Sequence, residues 1–205
     1  MASGRVYESF LVSAALRYRY LPGRKRGVDD FPSCNFLVRN SVMQALGGFD
    51  TKLWPGEDTK LCLDITKRLG LKIIYDPSVL VYHHRRPLFE PHLKQIASYA
   101  LHRGYFVRKY PKTSFKLAYF IPTLFLLALV GGSALSLSSA FFRTIFSLCL
   151  SLYLILAFLF SISGSGRLVV LVFFGTILTH LTYGTYFLKG LLSKKLPEEV
   201  VKKNE

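Results

Sequence analysis

Acidic residues are scarce. Twelve Asp and Glu stand against 27 Lys and Arg, for a net charge of +15 over 205 residues. A chain this basic suits an anionic partner such as phospholipid head groups, a nucleotide diphosphate or a lipid phosphate. Nucleic acid is the competing reading of that charge, disfavoured because no nucleic-acid-binding motif accompanies it. Cysteine is nearly absent too. Cys34, Cys62 and Cys149 have a spacing that fits neither a zinc site nor a disulfide framework, which leaves reduced, partly buried thiols. The opening MASGRVYESFLVSAALRYRY has only a short apolar run and no cleavage pattern, so it does not read as a signal peptide.

Charge of either sign is missing from three long stretches: Leu117–Phe142, Thr144–Gly166 and Leu168–Leu188, of 26, 23 and 21 residues. A hydrocarbon core of roughly 30 Å needs about 20 helical residues, so each run is long enough to cross a bilayer. Arg143 and the Ser163-Gly-Ser-Gly-Arg167 segment read as the turns between them. The basic residues Arg108, Lys109, Lys112 and Lys116 before the first run favour a cytoplasmic position for what precedes it. Three spans then place the lysine-rich tail outside. Two spans plus a re-entrant or interfacial segment remove that conflict, and the first run, with Pro122 and Gly131-Gly132, is the weaker candidate. His180 in the last run reads as a neutral histidine bonded to a neighbouring helix, or as a functional group inside the membrane. Tyr183 and Tyr186 suit an interfacial belt.

The first 116 residues hold 20 of the basic and 9 of the acidic residues. Val6, Phe10, Leu11, Ala14 and Leu16 predict a helix over 4–18. Residues 21–27 read as a loop. Cys34–Val38 suits a strand, Asn40 caps a helix that ends at Gly47-Gly48, and Gly56 precedes a helix over Glu57–Leu69 stopped by Gly70. Leu61, Ile65 and Leu69 form its buried stripe. Lys72–Tyr75 and Val79–Tyr82 read as strands joined by Asp76-Pro77-Ser78. Residues 87–110 read as amphipathic helix suited to lying in the membrane interface.

Glu57 and Asp58 open the second of these helices. Acids there ordinarily complement the helix N-terminus. Asp58, however, lies three and seven residues before Leu61 and Ile65 and shares their inward side, and a Trp-Pro-Gly turn delivers it there. A carboxylate so placed can accept a proton from an attacking hydroxyl.

The order from Ser33 to His83 resembles the acceptor-side half of family 2 glycosyltransferases. Its parts are Asn35 and Arg39, the Gly47-Gly48-Phe49-Asp50 turn, Trp54-Pro-Gly-Glu57-Asp58, the helix, and the His83-His84 pair. The resemblance covers roughly residues 5–110 and extends to bacterial polysaccharide-synthesis enzymes. It implies a fold of class α/β: a partial GT-A domain, with its nucleotide-binding half missing, followed by transmembrane α-helices. It implies Asp58 as catalytic base with Glu57 beside it. Gly47, Gly48, Phe49, Asp50 and Trp54 fall on the acceptor side. Arg85 and Arg86 fall on the donor phosphates, equally well explained as facing lipid head groups. His83 matches a ligand of a divalent metal, manganese or magnesium.

The expected activity is inverting transfer of a sugar from a nucleotide-sugar donor to a lipid-linked or polysaccharide acceptor. It would take place at the cytoplasmic face of a membrane, the plasma membrane if the cell is bacterial. The expected division is 1–86 for the transferase part, 87–116 for an interfacial linker, 117–188 for the membrane region and 189–205 for a basic tail. Three departures stand out. The family's Asp-x-Asp is absent, Asp29-Asp30 being adjacent; the first βαβ units are not found; and Gln95 is followed by Ile-Ala-Ser-Tyr where processive members carry Gln-x-x-Arg-Trp, which argues for single-sugar addition. With half a sheet the chain is expected to be inactive alone. Two other readings stay open: a non-catalytic remnant or subunit completed by another chain, and a module in which residues 84–116 bind anionic lipid.

Overall fold

Helix dominates the chain, and the places where it breaks have identifiable causes. The computed structural model describes residues 1–50, 56–162 and 164–196. Helices α1 (Ala2–Glu8) and α2 (Phe10–Ser13) lead into a 3-10 segment, Ala14–Arg19. One predicted helix is thus three pieces. Ser9 interrupts it with an extended backbone, ψ 134°, and Ala14 with a φ of 42°, which L-residues seldom adopt.

Strand β1 (Arg26–Val28) pairs antiparallel with β2 (Ile73–Tyr75), Arg26 opposite Tyr75 and Val28 opposite Ile73. The Lys25–Asp76 ion pair, 2.7 Å, sits at the end of this ladder. These are the only paired strands among the described residues, and they correct the sequence reading in three places. The segment 21–27, read as loop, contributes to β1. Residues 33–35 form a 3-10 turn where a strand was expected. Val79–Tyr82 stays unpaired, with Tyr82 94% exposed. Strand propensity needs a neighbouring edge to become a strand, and no described segment offers one to Val79–Tyr82. The Asp76-Pro77-Ser78 turn forms as expected, Asp76 accepting from the Ser78 N–H at 3.0 Å and its hydroxyl at 2.7 Å. In place of a broad α/β arrangement the chain is mostly helical with a two-stranded sheet.

Helix α3 (Asn40–Leu46) closes at Gly47, and Gly47 and Gly48 take the left-handed φ values of 75° and 82° that a helix terminus of this kind requires. Helix α4 (Glu57–Leu63) runs on into a π-helical turn, Asp64–Arg68, whose last amide reaches back five residues from Leu69 to Asp64 at 3.0 Å. That widening ends the buried stripe early: Leu61 and Ile65 are buried, whereas Leu69 is exposed.

Helix α5 (Glu90–Lys109) and a short α6 (Pro111–Ser114) lead to α7 (Ile121–Ser136), α8 (Ala140–Leu159) and α9 (Gly166–Leu192). Among the described residues three helical stretches are long and apolar enough to cross a membrane: Leu117–Ser136, Ala140–Leu159 and Gly166–Leu192. Their outward faces are exposed leucine, isoleucine and phenylalanine. The first turn between them falls at 137–139, where the Ser139 hydroxyl caps α8 by accepting from the Phe142 N–H, so Arg143 lies inside α8 and not at the joint expected there.

Helix α9 is the spine. A Cβ on Gly104 of α5 would come within 2.1 Å of the Phe187 carbonyl oxygen, and one on Gly190 within 2.0 Å of the Leu101 carbonyl oxygen. A Cβ on Gly184 would meet the Pro122 carbonyl of α7 at 2.5 Å. Backbones approach this closely where a glycine on one side removes the side-chain bulk. Helix α5 therefore packs lengthwise on α9 and runs parallel to it, from His92 beside Thr179 to Arg108, which donates to the Leu191 and Ser193 carbonyls. Tyr7, Ile96, Ala100, Tyr183 and Phe187 fill the space between α1, α5 and α9.

Candidate active site

Gly56, with a φ of 140°, turns the chain into α4 and places two carboxylates in its first turn. Glu57 accepts from the Gly56 N–H at 2.9 Å. Asp58 accepts from the Thr59 N–H at 2.7 Å and the Ser33 N–H at 3.3 Å. Asp30 lies behind it in an ion pair with Arg19 at 2.9 Å, the two side chains only 11% and 3% exposed, and also accepts from the Thr59 hydroxyl at 3.2 Å. Burial raises the Asp58 pKa above the ordinary carboxylate value, and the Asp30 charge adds to it, outweighing the two amides that favour ionisation. For Asp30 burial also pushes upward, but the Arg19 guanidinium prevails and the carboxyl titrates below its ordinary range.

These groups face a cleft of about 430 Å³. His83, Arg85 and Arg86 border it on one side, and Gln95, Ser98, Tyr99 and Arg103 of α5 on another. Arg85 is positioned by aromatic rings: its guanidinium lies 5.1 Å from both the Tyr7 and Tyr20 centroids, and the two rings stack at 5.0 Å. The Ser3 hydroxyl fixes the neighbouring backbone by donating to the Arg86 carbonyl at 2.6 Å. On the α5 side, the Tyr7 hydroxyl donates to Gln95 at 3.4 Å and the Gln95 amide donates to the Tyr99 hydroxyl at 3.0 Å.

Five residues singled out from sequence, Asp58, Glu57, His83, Arg85 and Arg86, therefore border one cleft. Gly47, Gly48, Phe49 and Asp50 do not line it; they follow α3, and Phe49 is 40% exposed. Trp54 lies outside the described residues. Asn35 donates to the Val79 carbonyl at 3.0 Å and, with Arg39, lines a second hollow of about 510 Å³ beside β2. Sequence reasoning missed Asp30, Arg19, Tyr7 and Arg103, which shape the electrostatics of the cleft. Asp29-Asp30 was noticed only as a failed Asp-x-Asp, and no local spacing links Asp30 to Arg19.

Manganese or magnesium at His83 is not supported by the residues around it. Among the described residues no three His, Cys, Asp or Glu side chains gather closely enough to hold an ion. His83 supplies at most one ligand, and no step is assigned to a metal.

A family model described as glycosyl transferase family group 2 matches residues 4–188. The chain belongs to that family. The match runs from α1 almost to the end of α9, so in this glycosyl transferase family member the cleft and the apolar helices fall within a single family unit. No curated protein and no solved structure matches the chain.

Proposed function

We propose that the chain forms the acceptor-side part of a membrane-bound, inverting glycosyltransferase of GT-A type. It moves a sugar from a nucleotide-sugar donor to a lipid-linked or polysaccharide acceptor at the cytoplasmic face. The observation that carries this reading is the meeting of a carboxylate of raised pKa, Asp58, with Arg85 and Arg86 across one cleft. Asp58 takes the proton of the acceptor hydroxyl while that oxygen attacks the anomeric carbon. The bond from that carbon to the nucleoside diphosphate breaks, its electron pair leaves with the diphosphate, and the configuration inverts. A base whose pKa is raised toward neutrality accepts that proton better than an ordinary carboxylate. Arg85 and Arg86 meet the charge that grows on the departing phosphate oxygens.

Glu57 steadies the start of α4 through Gly56. Gly47, Gly48, Phe49, Asp50 and Trp54 are assigned to the acceptor side on resemblance alone. The nucleotide-binding half of the GT-A domain is assigned to polypeptide outside residues 1–205. The reading is tested with Asp58→Asn in the intact enzyme. Donor binding is expected to survive and sugar transfer to be lost; unchanged turnover would remove Asp58 from the reaction.

A further inference from the structure

We infer that α9 does not cross the bilayer but lies along its boundary on the side of the cleft, where its outward stripe is a docking surface for lipid. The inference is independent of the reaction assigned to the cleft. By length and composition α9 qualifies as a span: Gly166–Leu192 has 27 residues, and Arg167 and Lys189 near its ends are its only charges. Its neighbours forbid a crossing. A Cβ on Gly175 would meet the Leu88 side chain at 2.9 Å and Val6 of α1 at 3.0 Å. Beyond that point α9 is covered by α5, from the His92–Thr179 contact to Arg108 at the Leu191 and Ser193 carbonyls.

Helix α5 cannot follow α9 into hydrocarbon. It carries Glu90, Lys94, Arg103, Arg108 and Lys109, and charge deep in a bilayer is costly. Its Gln95, Ser98 and Tyr99 border the cleft. Even if all of α9 before Gly175 lay in the membrane, that is nine residues, roughly 14 Å of helix. A hydrocarbon core of about 30 Å needs twice that length.

The α7–α8 hairpin, by contrast, leaves the body once and returns once. Phe120, just before α7, lies 5.1 Å from the Phe187 ring, and the Thr123 hydroxyl donates to the Gly184 carbonyl at 3.0 Å. Phe160, just after α8, lies 6.1 Å from Phe10 of α2. Phe125 meets Tyr153 at 4.3 Å, and farther out a Cβ on Gly132 would press on the Phe146 ring, so the two helices run antiparallel. Helix α9 therefore starts on the side where α7 starts. It ends there too, because Leu196, 1% exposed, packs with Tyr105 and Phe106 of α5. The basic tail then shares a side with Arg108, Lys109 and Lys112, as the positive-inside rule asks.

The occupant of the outward face follows from its chemistry. Val170, Phe174, Leu178 and Tyr186 are exposed at spacings of four and eight, which makes one stripe. The opposite face, turned to the protein, holds Thr176, Thr179, His180 and Gly184. The stripe adjoins the exposed apolar faces of the hairpin. Helix α9 has no acidic residue, and Arg167, Lys189, Lys194 and Lys195 complement anionic head groups.

The test sets one tryptophan at the middle of α9. Trp54→Phe removes the chain's single tryptophan, and Leu178→Trp adds one at a residue 36% exposed, where the bulk points outward. The full-length chain is reconstituted in phosphatidylcholine–phosphatidylglycerol vesicles whose lipid is brominated near the head group or near the chain end. Quenching at Leu178→Trp is expected to be about twofold stronger with the head-group label. Leu148→Trp, at the exposed middle of α8, is expected to show the opposite order. Stronger quenching of Leu178→Trp by the chain-end label would make α9 a span and overturn the proposal. Quenching by neither label would put a second copy of the chain or another protein on the stripe, and would overturn it as well. A second measurement needs no substitution. Proteinase K added to inverted membrane vesicles is expected to remove N-terminal and C-terminal epitope tags alike; loss of the first with protection of the second would contradict the inference.

Discussion

Asp30 and Asp58 are held by the same residue: the Thr59 hydroxyl donates to Asp30 at 3.2 Å and the Thr59 N–H donates to Asp58 at 2.7 Å. One carboxylate is neutralised by Arg19; the pKa of the other is raised by burial first, with the residual field of its neighbour adding to it. Two acids with opposite shifts in one cleft is the pattern of a structural charge beside a working one.

Removing the structural charge separates these effects. Asp30→Asn leaves the Arg19 guanidinium buried without its counter-ion, and breaking a buried pair in this way costs about 3–5 kcal/mol. A lower thermal midpoint in micelles checks that cost. In the molecules that still fold, Asp58 loses a negative neighbour, so the acid limb of the pH–rate profile is expected to move to lower pH. An acid limb that stays in place would mean Asp30 does not act on Asp58.

Asp58 is expected to be a destabilising residue at neutral pH. Its folded-state pKa is raised, so its contribution to stability is fully present below the unfolded value of about 3.9 and is lost as pH rises through the folded value. Asp58→Asn removes the charge and is expected to raise stability at pH 7 by on the order of 0.5 kcal/mol. The advantage should vanish below the unfolded value, where both side chains are neutral. Thermal melts of the two proteins across that pH range check the sign.

His92 carries an acid sensitivity of its own. Burial between α5 and α9 pushes its pKa down to about 4. With the folded value depressed from about 6.5, its contribution is present above that unfolded value and is lost as pH falls toward 4. Wild-type protein is therefore expected to lose thermal stability between pH 6.5 and 4 more steeply than His92→Gln. Parallel slopes would show that other groups govern acid unfolding.

The α5–α9 contact has no room for a methyl group. In Gly104→Ala the new Cβ would press on the backbone of Phe187 and Leu191, which cannot rotate away as a flexible side chain would. A loss of at least the 1–3 kcal/mol usual for overpacking is expected. Gly131→Ala, whose Cβ would meet nothing within 4 Å inside α7, is the matched control and is expected to hold or slightly raise the melting midpoint.

What the sequence revealed tracks how local each cause is. The start of α4 was legible because Gly56, Glu57 and Asp58 are consecutive. The end of α3 was legible because only a left-handed turn calls for Gly47-Gly48. The three apolar helices followed from an absence of charge that soluble helices seldom show. Arg143 was misjudged as a joint because one charge in an apolar run looks like a boundary, whereas the Ser139 cap decides where α8 begins. Val79–Tyr82 has the composition of a strand but no partner among the described residues, and a partner cannot be read from the segment itself. The cleft was half legible. Asp58, His83, Arg85 and Arg86 lie within one ordered motif; Tyr7, Arg19, Asp30 and Arg103 come together only through tertiary folding.

The most direct test is single-turnover sugar transfer to the hydroxyl of a lipid-linked sugar acceptor by the intact membrane-embedded enzyme, wild type against Asp58→Asn, with donor binding measured on the same samples. The base assigned here predicts a rate lowered about 10²–10⁴-fold with donor affinity unchanged. Transfer by the variant within twofold of wild type would contradict it.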